Sequence, residues 1–240
     1  MDGANQRFMA QRAGFLRDNI IFYNVGHSAL ANPLGQALVA PGTGGELPIG
    51  EFDLRPMGQV AHQTKGTRNG YVLHQMTDMT GAAKNKARRI GFGTHRIRAY
   101  LLAWGSMSSY EGTLGDNADF FFTPTVNGCS FAASNGVAPR VVHSNHANVA
   151  TQKIDQAQID ADLTQIFGAA GPDITLKKAD YKGRAATGAS DYMATIIGFR
   201  DPHANTWRFY YQRYKQGLVH KPGIGSVLEP TVLQTRRGIH

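Results

Sequence analysis

A single cysteine, Cys129, stands among 240 residues, so the chain can close no internal disulfide and no disulfide framework holds its fold. Long apolar runs are also missing. The densest, such as Tyr100-Leu101-Leu102-Ala103-Trp104, have the length of a strand and fall far short of the roughly 18 residues of a membrane-spanning helix. The N-terminal residues Met1 to Arg7 lack the basic-then-apolar pattern of a cleaved signal. These absences predict synthesis in a cytoplasm and no membrane span, with secretion or injection into a target cell by a route that needs no cleaved signal left open. Acidic residues are the minority charge: 17 Asp and Glu against 25 Lys and Arg give a formal net charge of +8. That balance favours acidic surfaces, whether of a protein, a nucleic acid or an anionic lipid. Metal-ligand spacings are absent too. Nine histidines come without a CxxC or HExxH pattern, and His143 and His146 have few carboxylates near them in sequence, so no metal and no cofactor is expected. Glycine clusters at 42–45 and 91–93 match neither a Walker loop nor a dinucleotide fingerprint.

What is present is a chain of 42% hydrophobic residues, long enough to bury a core without staples. Residues 7–18 carry a weak amphipathic helix pattern interrupted by Gly14, and Ile20 to Tyr23 read as a strand. Residues 26–70 hold turn signals, among them Asn32-Pro33, Pro41-Gly42 and Arg55-Pro56, and read as loop. From about residue 90 strands follow one another: Arg96–Trp104, Ala118–Thr123, and a run from Cys129 that turns near Asn135-Gly136 and returns to His143. The spacing of Ile154, Ile159, Leu163, Ile166 and Phe167 predicts a helix over 151–167, capped by Thr151 and stopped by Gly168. Two more strands, Tyr192–Phe199 and Thr206–Tyr211, flank the turn around Asp201-Pro202, and residues 218–240 read as an irregular tail. The expectation is an α+β protein: a β-sandwich or bent mixed sheet with flanking helices. Residues 1–85 would be an N-terminal extension partly packed on the core, and 86–240 the catalytic domain.

The segment Thr123-Pro124-Thr125-Val126-Asn127-Gly128-Cys129 carries the most chemical information. A buried structural cysteine usually sits inside an apolar run, whereas Cys129 follows an Asn-Gly turn that would set it at the first position of a strand. Glycine lets the backbone approach another group closely, and amides near the sulfur can polarise a bound carbonyl. In a hairpin turning at Asn135-Gly136, His143 falls across from Cys129 to within a register step, close enough to take the thiol proton. His146 is a second candidate base.

Asn127-Gly128-Cys129, a short strand, a turn and Val141-Val142-His143 resemble the Cys–His core of protein-glutamine deamidases. That group includes the cytotoxic necrotizing factor catalytic domains, the Burkholderia-type lethal factor and the bacterial chemoreceptor deamidase. The resemblance spans roughly residues 94–146. It implies that Cys129 is the nucleophile, that His143 shuttles protons, and that Thr123, a few positions upstream, orients the imidazole. Asn127 stands where family members commonly carry Ser. The resemblance further implies a toxin or effector whose substrate is a protein, in some members a host small GTPase or a translation factor. Transglutamination and proteolysis use the same kind of thiol intermediate and stay open.

Two other classes compete. Lys84, Lys86, Arg88, Arg89, Arg96 and Arg98 form a basic stretch, and Trp207 to Lys215 interleaves aromatics with cations, as a single-strand nucleic-acid binder would. Plain alternation explains the second pattern equally well, with Trp207, Phe209 and Tyr211 facing a core and Arg208, Tyr210 and Gln212 facing out, so nucleic acid is the less favoured partner. Asp119, Asp191 or Asp201 could serve as the third member of a papain-like arrangement, although such aspartates more often cap turns. The remaining class is an interaction protein with an inert thiol.

Overall fold

The computed structural model describes residues 2–23, 44–62, 66–75, 95–105, 107–147, 153–182, 192–221 and 225–239. The chain opens with helices α1 (Asp2–Gln11) and α2 (Ala13–Asp18), then strands β1 (Asn19–Phe22), β2 (Ile49–His62), β3 (Gly66–Gln75) and β4 (Ile97–Leu101). Next come β5 (Ser108–Thr113), β6 (Phe120–Val126), β7 (Ser130–Ala133) and β8 (Arg140–Asn145). Helix α3 (Gln156–Phe167), strand β9 (Ile174–Leu176) and the short α4 (Lys178–Lys182) lead to β10 (Tyr192–Arg200), β11 (Trp207–Lys221) and β12 (Gly225–Gly238). Among the described residues no helix is long and apolar enough to cross a membrane.

The strands form two sheets, and the architecture is α+β as expected. The large mixed sheet has the order β1-β3-β2-β12-β11-β10-β6-β4, and β2 also pairs with β4, so six of its strands make a continuous ring of pairings. The small antiparallel sheet has the order β5-β8-β7-β9. Strand β6 shows why a run of aromatics belongs between layers. Phe120 and Phe122 point to one face, where they meet Phe8 of α1 at ring-centroid distances of 5.2 and 6.2 Å. Phe121 points the other way and packs on Phe131 of the small sheet and Phe209 of β11. Both faces of β6 are thus covered, which a continuous apolar run requires. Each such ring buried contributes roughly 1.5–3 kcal/mol before entropy is counted.

The small sheet is covered on its other face by α3. Ala132 and Val142 pack there on Ile159 and Leu163, while Phe131, Ala133 and Val141 belong to the core between the sheets. The layers therefore run α1–α2, large sheet, small sheet, α3.

Several local expectations are corrected. The helix starts at Gln156 with Asp155 as its cap, whose carboxylate accepts the Gln158 N–H at 3.1 Å. Thr151 lies outside the described residues. Gly168, at φ 79°, does end the helix. The single helix read over 7–18 is two, broken at Arg12, whose φ is +40°. Residues 49–62 and 66–70, read as loop, belong to the long hairpin β2–β3, with a register shift between Pro56 and Gly58 (φ +99°) accommodating the two breakers. Residues 225–238, read as tail, are β12, paired along β11. Residues 19–75 thus supply three strands of the large sheet, and the described part of the segment expected as an extension is built into it.

Candidate active site

The site grows from a bulge. Between Thr123 and Val126 strand β6 advances three residues while its partner β10 moves only from Ile196 to Ala194. Pro124 sits in that bulge, where its missing N–H breaks no ladder bond. The bulge leaves the Thr123 side chain on the face toward the small sheet. The chain then turns through Asn127 and Gly128, whose φ of +101° is readily available only to glycine. A Cβ at Gly128 would stand 2.8 Å from Ile154 Cγ1. Tyr181 of α4 fastens the turn from behind: its buried hydroxyl accepts the Gly128 N–H at 2.6 Å and donates to the Cys129 carbonyl at 2.8 Å. Burial, and next the neighbouring Cys129, push the Tyr181 phenol well above its ordinary value, so it stays neutral.

Cys129 follows directly, only 5% exposed and packed in the core between the sheets. His143 lies on the same face of the small sheet and is fully buried. Its Nδ1 is 2.7 Å from Thr123 Oγ1, a bond from one sheet to the other. Its Nε2 is buried and has no hydrogen-bond partner among the described residues. Trp104 stacks on the ring at 6.4 Å, with 23° between planes. Burial pushes the imidazole down to about 3, so it is neutral at pH 7. When Nδ1 carries the proton and gives it to Thr123, the buried Nε2 presents a lone pair, which is the form a general base needs.

The ladder corrects the expected facing. Ser130, the first residue of β7, stands opposite Ser144 and Phe131 opposite His143, and Cys129 lies one residue before the start of that ladder. Cys129 and His143 are then diagonal neighbours, with backbones roughly 7–8 Å apart rather than directly opposed. The cause is the loop. Asn135-Gly136 does not form a two-residue turn; residues 134–139 form a wider one, closed by Ser134 N–H donating to the Arg140 carbonyl at 2.9 Å.

His146 has a different setting. It follows β8 on the α3 side, with Nε2 2.7 Å from Asp162 Oδ2. Ser109 Oγ lies 2.6 Å from both Asp162 Oδ2 and Ser144 Oγ. Partial burial alone would raise the Asp162 carboxyl, but hydrogen bonds from Ser109 and Gln158 and the nearby His146 outweigh it and hold the group low. Because Asp162 engages the same ring nitrogen that approaches Ser109 (3.5 Å), the cluster lacks the two-nitrogen relay of a serine triad. It ties α3 to the small sheet.

The other candidates are accounted for by structure. Asp119 pairs with Arg200 at 2.9 Å and Arg12 at 3.5 Å, and Asp201 accepts the backbone N–H groups of His203 and Ala204, capping a turn. Asp191 lies outside the described residues, as do Lys84, Lys86, Arg88 and Arg89. Trp207, Phe209 and Tyr211 are buried, so their rings are not presented for base stacking. Gln212, expected to face out, is fully buried; its amide donates to the carbonyls of Leu16 and Asn19, and its oxygen accepts the Ile21 N–H. Among the described residues no three His, Cys, Asp or Glu side chains converge as a metal site would require. Sequence reasoning overlooked Tyr181, because nothing in local spacing links a residue 52 positions away to the Cys129 turn.

Comparison with known proteins finds no family model that matches the chain and no curated protein similar to it.

Proposed function

We propose that this chain is a thiol-dependent amidohydrolase that deamidates a glutamine side chain of a target protein. Cys129 is the nucleophile, His143 the base and Thr123 the residue that orients it. The observation that carries the reading is the Thr123–His143 hydrogen bond at 2.7 Å, which holds a neutral imidazole with Nε2 unbonded on the face that also carries Cys129. In an inert core, a histidine with an orphaned ring nitrogen costs about 1–3 kcal/mol, and an apolar side chain would fill the place at less expense.

In this reading the Cys129 thiol gives its proton to His143 Nε2 as the sulfur attacks the carboxamide carbon. Desolvation alone keeps the ring neutral, and a thiolate forming beside it offsets that penalty by opposite charge. The C–N bond then breaks, His143 returns the proton to the departing nitrogen, and ammonia leaves a thioester. Water attacks the thioester, its proton passes to His143, and the C–S bond breaks as His143 returns that proton to sulfur, releasing glutamate and the thiol. The basic balance of the chain suits an acidic target surface, and the resemblance to toxin and effector deamidases points to a host small GTPase or a translation factor.

The test is peptide mass analysis of candidate targets incubated with the wild type and with Cys129→Ser. Conversion of a glutamine to glutamate by the wild type alone supports the proposal. Cleaved fragments would make the protein a protease, and identical results with both proteins across those targets would count against Cys129 as nucleophile.

A further inference from the structure

We infer that the side-chain amide of Asn145 is the oxyanion donor of this site, an inference that rests on Cys129 being the nucleophile. An acyl transfer through a thiol builds negative charge on the substrate carbonyl oxygen as the C–S bond forms, and that charge needs an N–H beside the sulfur. The turn before the cysteine is the usual place to look. Here the Gly128 N–H is already taken up by the Tyr181 hydroxyl at 2.6 Å, and that hydroxyl is itself bound to the Cys129 carbonyl. With that amide occupied, a side-chain N–H near the sulfur can supply a donor.

Two independent observations point to Asn145. Strand register is the first. The ladder ends with Ser130 opposite Ser144; carried one residue further, its register sets Asn145 across from Cys129, and directly opposed residues have Cβ atoms about 4.5–5.5 Å apart. The pleat agrees with this. Along β8 Val142 and Ser144 face α3, through Ile159 and Ser109, while Val141 and His143 face the large sheet, so Asn145 falls on the face of the sulfur and the imidazole. The second observation is the amide's own bonding. Asn145 Nδ2 reaches the Gly105 carbonyl at 3.4 Å, a long bond to the residue that follows Trp104, whose ring stacks on His143. A carboxamide has two N–H donors, and a bond this long gives up little when the group swings toward an anion. Asn145 is half-buried, whereas Cys129 and His143 are closed in, so of the three it is the most exposed to solvent. The thiolate sulfur attacks the carbonyl carbon, the π pair moves to oxygen, and the Asn145 N–H holds that oxygen until the pair returns and the amine departs.

Two reactions of the same thiol separate this role from others. Alkylation by iodoacetamide displaces iodide and builds no carbonyl oxyanion, whereas acylation by p-nitrophenyl acetate passes through one. Asn145→Ala should lower the acylation rate of the full chain by about 10²–10³-fold while leaving the rate and pH profile of Cys129 alkylation unchanged. The unchanged alkylation profile also reports an intact fold. Asn145→Asp, equal in size but without the N–H when ionised, should lose acylation likewise. Acylation at wild-type rate in both variants overturns the assignment, as does a parallel fall in both reactions, which would mark Asn145 as support for the thiol. His143→Ala, by contrast, should slow both. A wild type whose Cys129 performs neither reaction faster than in the urea-unfolded chain refutes the nucleophile, and this inference with it.

Discussion

Lowering the pH should unfold this protein earlier than its carboxylates alone would dictate, and His143 is the reason. In the unfolded chain an imidazole titrates near 6.5. In the fold, burial pushes it down to about 3. A depressed histidine contributes its full share of stability above the unfolded value and loses it as pH falls toward the folded one, because between the two only the unfolded chain takes up the proton. The slope there is about 1.4 kcal/mol per pH unit. From pH 7 to pH 5 the loss assignable to this one ring is about 2 kcal/mol. Urea unfolding at the two pH values measures it. With an m-value of about 1–3 kcal/mol/M, the midpoint should drop by roughly 1 M more in the wild type than in His143→Gln, whose amide can still meet Thr123 but cannot titrate. His74, also lowered by burial, is present in both proteins and cancels in the comparison. Equal pH dependence in the two proteins would mean that water reaches His143, and the picture of a neutral, enclosed base would fall.

The hydrogen bond behind that base has its own test. Thr123→Val keeps the shape of the side chain but leaves Nδ1 buried without a partner, so thermal unfolding should show a loss of about 1–3 kcal/mol, and Cys129 alkylation should slow because the ring is no longer oriented. A variant as stable and as reactive as the wild type would remove Thr123 from the site. Gly128→Ala and Gly136→Ala form a matched pair. Both glycines have positive φ, but a Cβ at Gly128 meets Ile154 at 2.8 Å and one at Gly136 meets nothing within 4 Å. The first should therefore cost about 1–3 kcal/mol more than the second in urea unfolding. Equal losses would show that Ile154 simply moves aside.

What could be read from the residues alone depended on how local the deciding contact was. Strand β6 is legible because three successive phenylalanines can be buried only where both faces are covered, and helix α3 because its apolar stripe is periodic. Strands β2 and β12 were not, because each carries a proline and β2 a positive-φ glycine as well. Their strand state comes from pairing with distant segments, His62 with Val232 at one end of β2 and Phe52 with Ile97 at the other, and that pairing overrides local turn chemistry.

The site divides along the same line. Cys129 and the hairpin that follows it can be recognised from a turn and two β-prone runs. The bond between Thr123 and His143 joins strands of two different sheets and carries no signature in spacing beyond the resemblance that suggested it. Register is the sensitive quantity. Had Asn135-Gly136 closed a two-residue turn, the hairpin would be centred near those residues and His143 would stand almost across from Cys129. The wider loop over 134–139 moves the centre toward Val137, which sets Phe131 against His143 and Ser130 against Ser144. Counted from a register in which Cys129 directly faces His143, the change is two positions, which keeps every side chain on its face, since the pleat repeats every two residues. It therefore leaves the core packing of Val141 and Phe131 intact while changing which residue stands across from His143, Phe131 in place of Cys129. An assignment made from spacing alone finds the right face and the wrong neighbour.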